Sequence, residues 1–186
     1  MPSQYEASSG LSSSTDAVIL HVDLVADKLE PLIDRLRNGS IVPGQKRNHW
    51  CIGLATSQEE SIQLDPNTKG DCSLDILVSK HHQTQGNNIK HIRLSVKDGL
   101  KFSQVIELLL NNKHDYYRFD QNHQGLRQWI ITTLALLFSV GYLTNESEVK
   151  DAKAIVKIVW KGQDEPVEEE NQSEMVLGTF FDPNEL

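Results

Sequence analysis

Two short patches carry the residue types that do chemistry. Asn48-His49-Trp50 opens a strand directly after a loop, and Gly125-Leu126-Arg127-Gln128-Trp129 opens the longest helix. A helix N-terminus offers free N–H donors and a partial positive charge. A cysteine there would have a lowered pKa, and a nearby histidine would take its proton. The chain has two cysteines, and neither fits that role. Cys51 follows Trp50 in the strand and so points to the opposite side, and Cys72 lies in a Gly-Asp-Cys-Ser turn without an obvious base. Two thiols make no disulfide framework, and there is no CxxC or HExxH spacing. His81, His82 and His91 are read as solvated, since adjacent strand residues point apart; the same plain exposure is expected for His21, His114 and His123. No metal site is expected.

The elements that must position these patches change period halfway along. Val18, Leu20, Val22 and Leu24 alternate with Ile19, His21, Asp23 and Val25, which predicts a strand over Ala17–Val25. Asp27–Arg37 is read as a short helix with Pro31 in its first turn and Asn38-Gly39 at its end. Strands follow at His49–Ala55 and Ser61–Leu64, then a turn at Pro66-Asn67 and Gly70, then strands at Ser73–Ser79 and Ile89–Val96 around a polar loop, Lys80–Asn88. From Lys101 the spacing is helical. Helices are expected over Lys101–Asn111, Gln124–Val140 and Glu146–Trp160, with Ile155–Trp160 a possible strand and Tyr116–Phe119 a short extended piece. Gly141 suits a left-handed helix end, and Asn145 with Glu148 suits a capping box. Strands first and helices later predict an α+β fold: an antiparallel sheet of about five strands packed with two to three helices.

The two patches, in this order, resemble an uncharacterised fungal domain family with Asn-His-Trp early and Gly-Cys-Arg-aromatic-Trp later. Leu177-Gly178-Thr179-Phe180 resembles that family's closing Gly-x-Phe. Histidine on a strand before cysteine at a helix start is also similar to circularly permuted papain-like proteins, which implies a degenerate version of that fold. The chain departs from the pattern at Leu126, which takes the place of the cysteine and removes covalent thiol chemistry there.

What remains is an expected pocket: His49 and Arg127 as catalytic hydrogen-bonding groups, with Trp50, Trp129, Leu126 and Tyr117 binding substrate. Such a site holds a hydrophobic small molecule and polarises a carbonyl, as a cofactor-free cyclase or Diels–Alder catalyst of fungal secondary metabolism would. The competing expectations are a thiol hydrolase or acyltransferase and a non-catalytic interaction module. The plainer reading of the same residues is a satisfied strand-edge His49, a pair of core tryptophans, and an Arg127 paired with an acid such as Asp120.

The bulk properties bound these options. A chain of 186 residues suits one domain, and a net charge of −8 disfavours nucleic acid. The longest apolar run, in Trp129–Leu143, is interrupted by Thr132, Thr133 and Ser139, so no membrane span is expected. The Ser-rich start has no basic and apolar blocks of a signal peptide, and two thiols suit a reduced, cytoplasmic protein; no cofactor is expected, and the chain is taken as a monomer or homodimer. The expected organisation is a flexible tail over 1–15, a globular domain over 16–161, an acidic linker over 162–174 and a segment over 175–186 that docks back.

Overall fold

The computed structural model describes residues 16–27, 30–35, 41–68, 74–82, 88–120 and 124–182. In chain order the strands of the first half are β1 (His21–Ala26), β2 (Glu30–Arg35), β3 (Ile41–Arg47), β4 (Trp50–Ala55), β5 (Glu60–Thr68), β6 (Leu74–His82) and β7 (Lys90–Ser95). The second half holds α1 (Phe102–Asn111), β8 (Tyr117–Arg118), α2 (Leu126–Ser139), α3 (Glu146–Val156), β9 (Trp160–Gly162), β10 (Glu165–Pro166) and β11 (Thr179–Phe180). Five strands form one antiparallel sheet in the order β6-β5-β4-β1-β7, so the fold is α+β as expected.

Period-two alternation gives this sheet two unlike faces. The register aligns Val22 with Leu54 and Leu94, Leu24 with Ile52, Ile52 with Leu64, and Leu64 with Val78, all buried. Helix α2 packs on β4 and on α3, and α3 packs on β7. Trp129, Ile130, Leu134 and Leu137 of α2 and Val149, Ala152 and Val156 of α3 join the apolar strand residues in one core. Each fully buried Leu or Ile contributes about 1.5–3 kcal/mol. The alternate residues make the other face: His21 and Asp23 of β1, Cys51 and Gly53 of β4, Ser61, Gln63 and Asp65 of β5, and His91, Arg93 and Ser95 of β7.

The helix ends follow their capping residues. Gly141 has φ 75, in the left-handed region that a residue with a Cβ avoids. Asn145 accepts from the backbone N–H groups of Ser147 and Glu148. Glu148 does not return the bond to the Asn145 backbone. Its carboxylate instead accepts from Ser95 N–H at 2.7 Å and Ser95 Oγ, tying α3 to β7.

Several expectations are corrected. Glu30–Arg35 is a strand paired with Ile41–Arg47, not a helix. Asn38-Gly39, which lies outside the described residues, is a hairpin-type dipeptide as much as a helix terminator. Pro31 and Pro43 are tolerated because the ribbon is two-stranded and irregular between Pro31 and Ile33. Pro66 and Asn67 do not turn: β5 runs on to Thr68, with Pro66 opposite Ile76 and past its last β4 partner, Leu64. His81 and His82 end β6 and do not belong to a loop. Helix α3 stops at Val156, and Trp160 begins a strand, as the density of Ile and Val there allows.

The acidic stretch after Trp160 is exposed but folded. Lys161 bridges Glu165 and Glu168, and the Gln172 side chain bonds both the N–H and the carbonyl of Val159. Beyond it, Thr179–Phe180 pairs with Tyr117–Arg118, and Phe180 lies against the rings of Tyr117 and His114. The tail over 1–15, Cys72, His123 and the last four residues lie outside the described residues. Among the described residues, no helix is long and apolar enough to cross a membrane.

Candidate functional site

On the helix side of the sheet, Asn48, Trp50 and Trp129 of the two motif patches are turned inward. Asn48 is buried at the entry to β4. Its Nδ2 donates to the carbonyls of Asp27 and Trp160, and its Oδ1 accepts from Trp160 N–H at 2.7 Å. Trp50 and Trp129 are fully buried, and Trp129 Nε1 donates to the His114 carbonyl at 2.9 Å. Tyr117 is fully buried too. Its hydroxyl donates to Gly125 O at 2.8 Å and accepts from Gly178 N–H at 3.0 Å. Burial pushes this phenol up to about 12. Leu126 packs on the core.

Arg127 is spent on the chain itself. Nη1 donates to Lys157 O at 2.6 Å, and Nη2 donates to Ser173 O, Ser173 Oγ and Glu174 O at 2.9, 3.1 and 2.6 Å. It does not pair with Asp120, whose carboxylate accepts from Gln124 N–H. Burial, with a smaller contribution from Arg47, holds the guanidinium below its usual range. The expected pocket of Trp50, Trp129, Tyr117 and Arg127 is therefore not an open aromatic wall. Large flat side chains lose most free energy when left in water, and these have been withdrawn into the core.

The opposite face of the sheet brings together groups of another kind. His49 and Cys51 stand two residues apart, and the β4–β5 register that aligns Ile52 with Leu64 puts Asp65 across from Cys51. His49 Nε2 lies 2.5 Å from Asp65 Oδ1, and the Cys51 thiol donates to the same oxygen at 3.4 Å. The side chains of His49 and Asp65 are 29% and 28% exposed, whereas Cys51 is buried. Burial first, and then the Asp65 charge, push the thiol far above its ordinary range. Cys51 is thereby held toward its neutral thiol form.

One row along the same face, Asp23 is 3% exposed at the centre of three basic side chains. Arg93 Nε donates to its Oδ1 at 3.1 Å, His91 Nε2 lies 3.0 Å from that oxygen, and His21 Nε2 lies 3.2 Å from Oδ2 but out of hydrogen-bonding alignment. Burial alone would raise the Asp23 pKa. The hydrogen bonds from His91 and Arg93 outweigh it, and the carboxyl sits below its usual range. His21 is lowered, with burial outweighing the attraction of Asp23. The Arg93 and His91 side chains are 55% and 46% exposed, so Asp23 holds two basic groups at the surface. Successive rows on one strand face lie about 6–7 Å apart, and β7, which carries Arg93 and His91, lies two strands from β4, about 10 Å across the sheet.

A family model described as "Domain of unknown function (DUF7770)" matches residues 36–181. The chain belongs to this family. Neither the curated proteins nor the solved structures give a match. The stretch matched by the DUF7770 model contains His49, Cys51 and Asp65 as well as Arg127 and Gly178; β1, with His21 and Asp23, precedes it.

Within this member of the DUF7770 family, a partly exposed imidazole held by a carboxylate can donate a hydrogen bond or move a proton, and His49, Cys51 and Asp65 also offer nitrogen, sulfur and oxygen within 4.8 Å of one another. Of the residues expected from the sequence, only His49 stands at this face. Asp65 and Asp23 are the partners that the sequence reading passed over. Their signal was the polar half of each alternating strand, in Ser61, Gln63 and Asp65 and in His91, Arg93 and Ser95; which strands neighbour each other is not written in that pattern.

Proposed function

We propose that the chain binds a small molecule bearing a carbonyl or carboxylate group at the polar face of the sheet and acts on it without a thiol nucleophile. His49 in its protonated form donates to that group from Nδ1 while Asp65 holds Nε2, and Arg93 and His91, two strands away on β7, supply a cationic surface on the same face. The observation that carries this reading is the 2.5 Å contact of His49 with Asp65 between two side chains that both reach solvent. A positioned general acid of this kind contributes about 10²–10⁴-fold to a reaction. The reading keeps the non-covalent polarisation of a carbonyl anticipated from the sequence, including cyclisation of a terpenoid or polyketide that carries one. It gives up the aromatic wall, because Trp50, Trp129 and Tyr117 have no exposed surface.

The test is saturation-transfer NMR with a panel of small carbonyl and carboxylate compounds. Compounds that bind the wild type are expected to lose binding in His49→Ala and to weaken in Arg93→Ala. Binders that are indifferent to His49→Ala and Asp65→Asn would overturn the reading.

A further inference from the structure

The cluster at the start of β4 contains a group that hydrogen bonding to a ligand does not need, a thiol. We propose that His49, Cys51 and Asp65 form a three-ligand site for a zinc-type divalent ion. This rests on the reading above for its location; with the ion in place His49 is a ligand, and the ion takes over from His49 the polarisation of the bound carbonyl.

The three ligand atoms lie within 4.8 Å of one another, so the site is open: one edge already has the spacing of a zinc site, and the His49 ring must move away from Asp65 and toward Cys51 to close it. Zinc bonds of about 2.3 Å to sulfur and about 2.0–2.1 Å to nitrogen and oxygen give, at tetrahedral angles, separations of about 3.5 Å for S···O and about 3.3 Å for N···O. Cys51 Sγ and Asp65 Oδ1 are already 3.4 Å apart. His49 and Asp65, at 2.5 Å, share a hydrogen bond, and they must open by about 0.8 Å for the ion to replace the proton between them. Both are side chains with solvent on one side, so the opening disturbs no core packing.

The ligand chemistry selects the ion. A thiolate–imidazole–carboxylate set favours zinc and its neighbours over magnesium or calcium, which take oxygen ligands. Three protein ligands leave a fourth position for water or for the oxygen of a bound molecule, the arrangement of catalytic zinc. The charges balance as well: Zn²⁺ meets one thiolate and one carboxylate, and the complex is neutral. Binding releases the thiol proton to solvent; where His49 enters charged the ring also releases one proton, and where it enters neutral its proton moves from Nε2 to Nδ1. An ion in place also deprotonates a thiol that is otherwise held in its neutral form.

The experiment is titration of the metal-free full-length chain with cobalt(II), followed by zinc. The expected result is one ion per chain with a near-ultraviolet thiolate-to-cobalt charge-transfer band. That band is lost in Cys51→Ser, kept in Cys72→Ser, quenched by zinc and untouched by magnesium. His49→Ala and Asp65→Asn are each expected to weaken zinc binding by more than about a hundredfold. Both change partly exposed side chains, so they also report should Cys51→Ser fail to fold. A wild type without the band, a band that survives Cys51→Ser, or zinc affinity unchanged in His49→Ala and Asp65→Asn would overturn the proposal. Loss of small-molecule binding in His49→Ala with no metal bound at all would overturn the zinc site and leave the functional reading standing. Zinc binding with no binder in the panel would do the reverse.

Discussion

Arg127 and Arg93 are the same residue type in two polar networks, and the contrast between them separates scaffold from site. Arg127 spends its donors on Lys157, Ser173 and Glu174, and so pins the chain leading to β11 against the start of α2. Asn48 does the same between β4 and β9, and Tyr117 between Gly125 and Gly178. Arg93 gives its Nε to Asp23 and keeps more than half its side chain in solvent. A polar side chain that gives most of its hydrogen bonds to its own backbone has little capacity left for a ligand. The network on the polar face differs in that its basic groups are held from beneath, by Asp23 and Asp65, and remain accessible from above.

The largest expected difference is in stability. Arg127→Ala leaves three backbone carbonyls without their donor and is expected to cost about 3 kcal/mol or more in urea unfolding, whereas His49→Ala and Arg93→Ala should each cost about 1 kcal/mol or less. Equal losses from the two arginines would break the comparison. Next in size is Gly178→Ala. A Cβ there would stand 2.3 Å from the Tyr117 ring and 2.7 Å from Arg118 O, so β11 must shift. A loss of about 1–3 kcal/mol is expected, with earlier proteolysis of the C-terminal segment; unchanged stability would contradict the described docking.

A smaller effect is the pH dependence. His21 on the polar face and His114 beneath Phe180 both have pKa values lowered by burial. A lowered group contributes its full stability above its unfolded value, about 6.5, and loses it as pH falls through the folded value. Stability is therefore expected to fall between pH 7 and pH 5, and His114→Gln and His21→Gln should each flatten that slope. Asp23, also lowered, adds a further loss below the unfolded carboxylate value of about 4. A slope unchanged in both variants would show that neither imidazole is buried in the neutral form.

The sheet was legible because His21–Ala26, Trp50–Ala55 and Lys90–Ser95 alternate or carry dense β-branched residues, and α2 and α3 because Gly141 and Asn145 mark their ends. The hairpin of β2 and β3 was not, since Glu30–Arg35 has neither a clear period of two nor one of 3.6 and its proline fits the first turn of a helix equally well. For the site, residue type misled where burial decides. Trp50, Trp129 and Arg127 read equally well as a ligand wall or as core, and only packing against β4 and the bonds to residues 157 and 173–174 distinguish the two. His49 was visible from its place at a strand start. Its partner was not, because Asp65 meets it through the β4–β5 register, sixteen residues along the chain.

The most direct test of the claim that the polar face is the working surface is amide chemical-shift mapping of the ¹⁵N-labelled chain with whichever carbonyl or carboxylate compound binds best. The account predicts perturbations concentrated at residues 49–51, 63–65 and 91–93, and their loss in His49→Ala. Perturbations centred on residues 125–129, with the polar face unmoved, would contradict it.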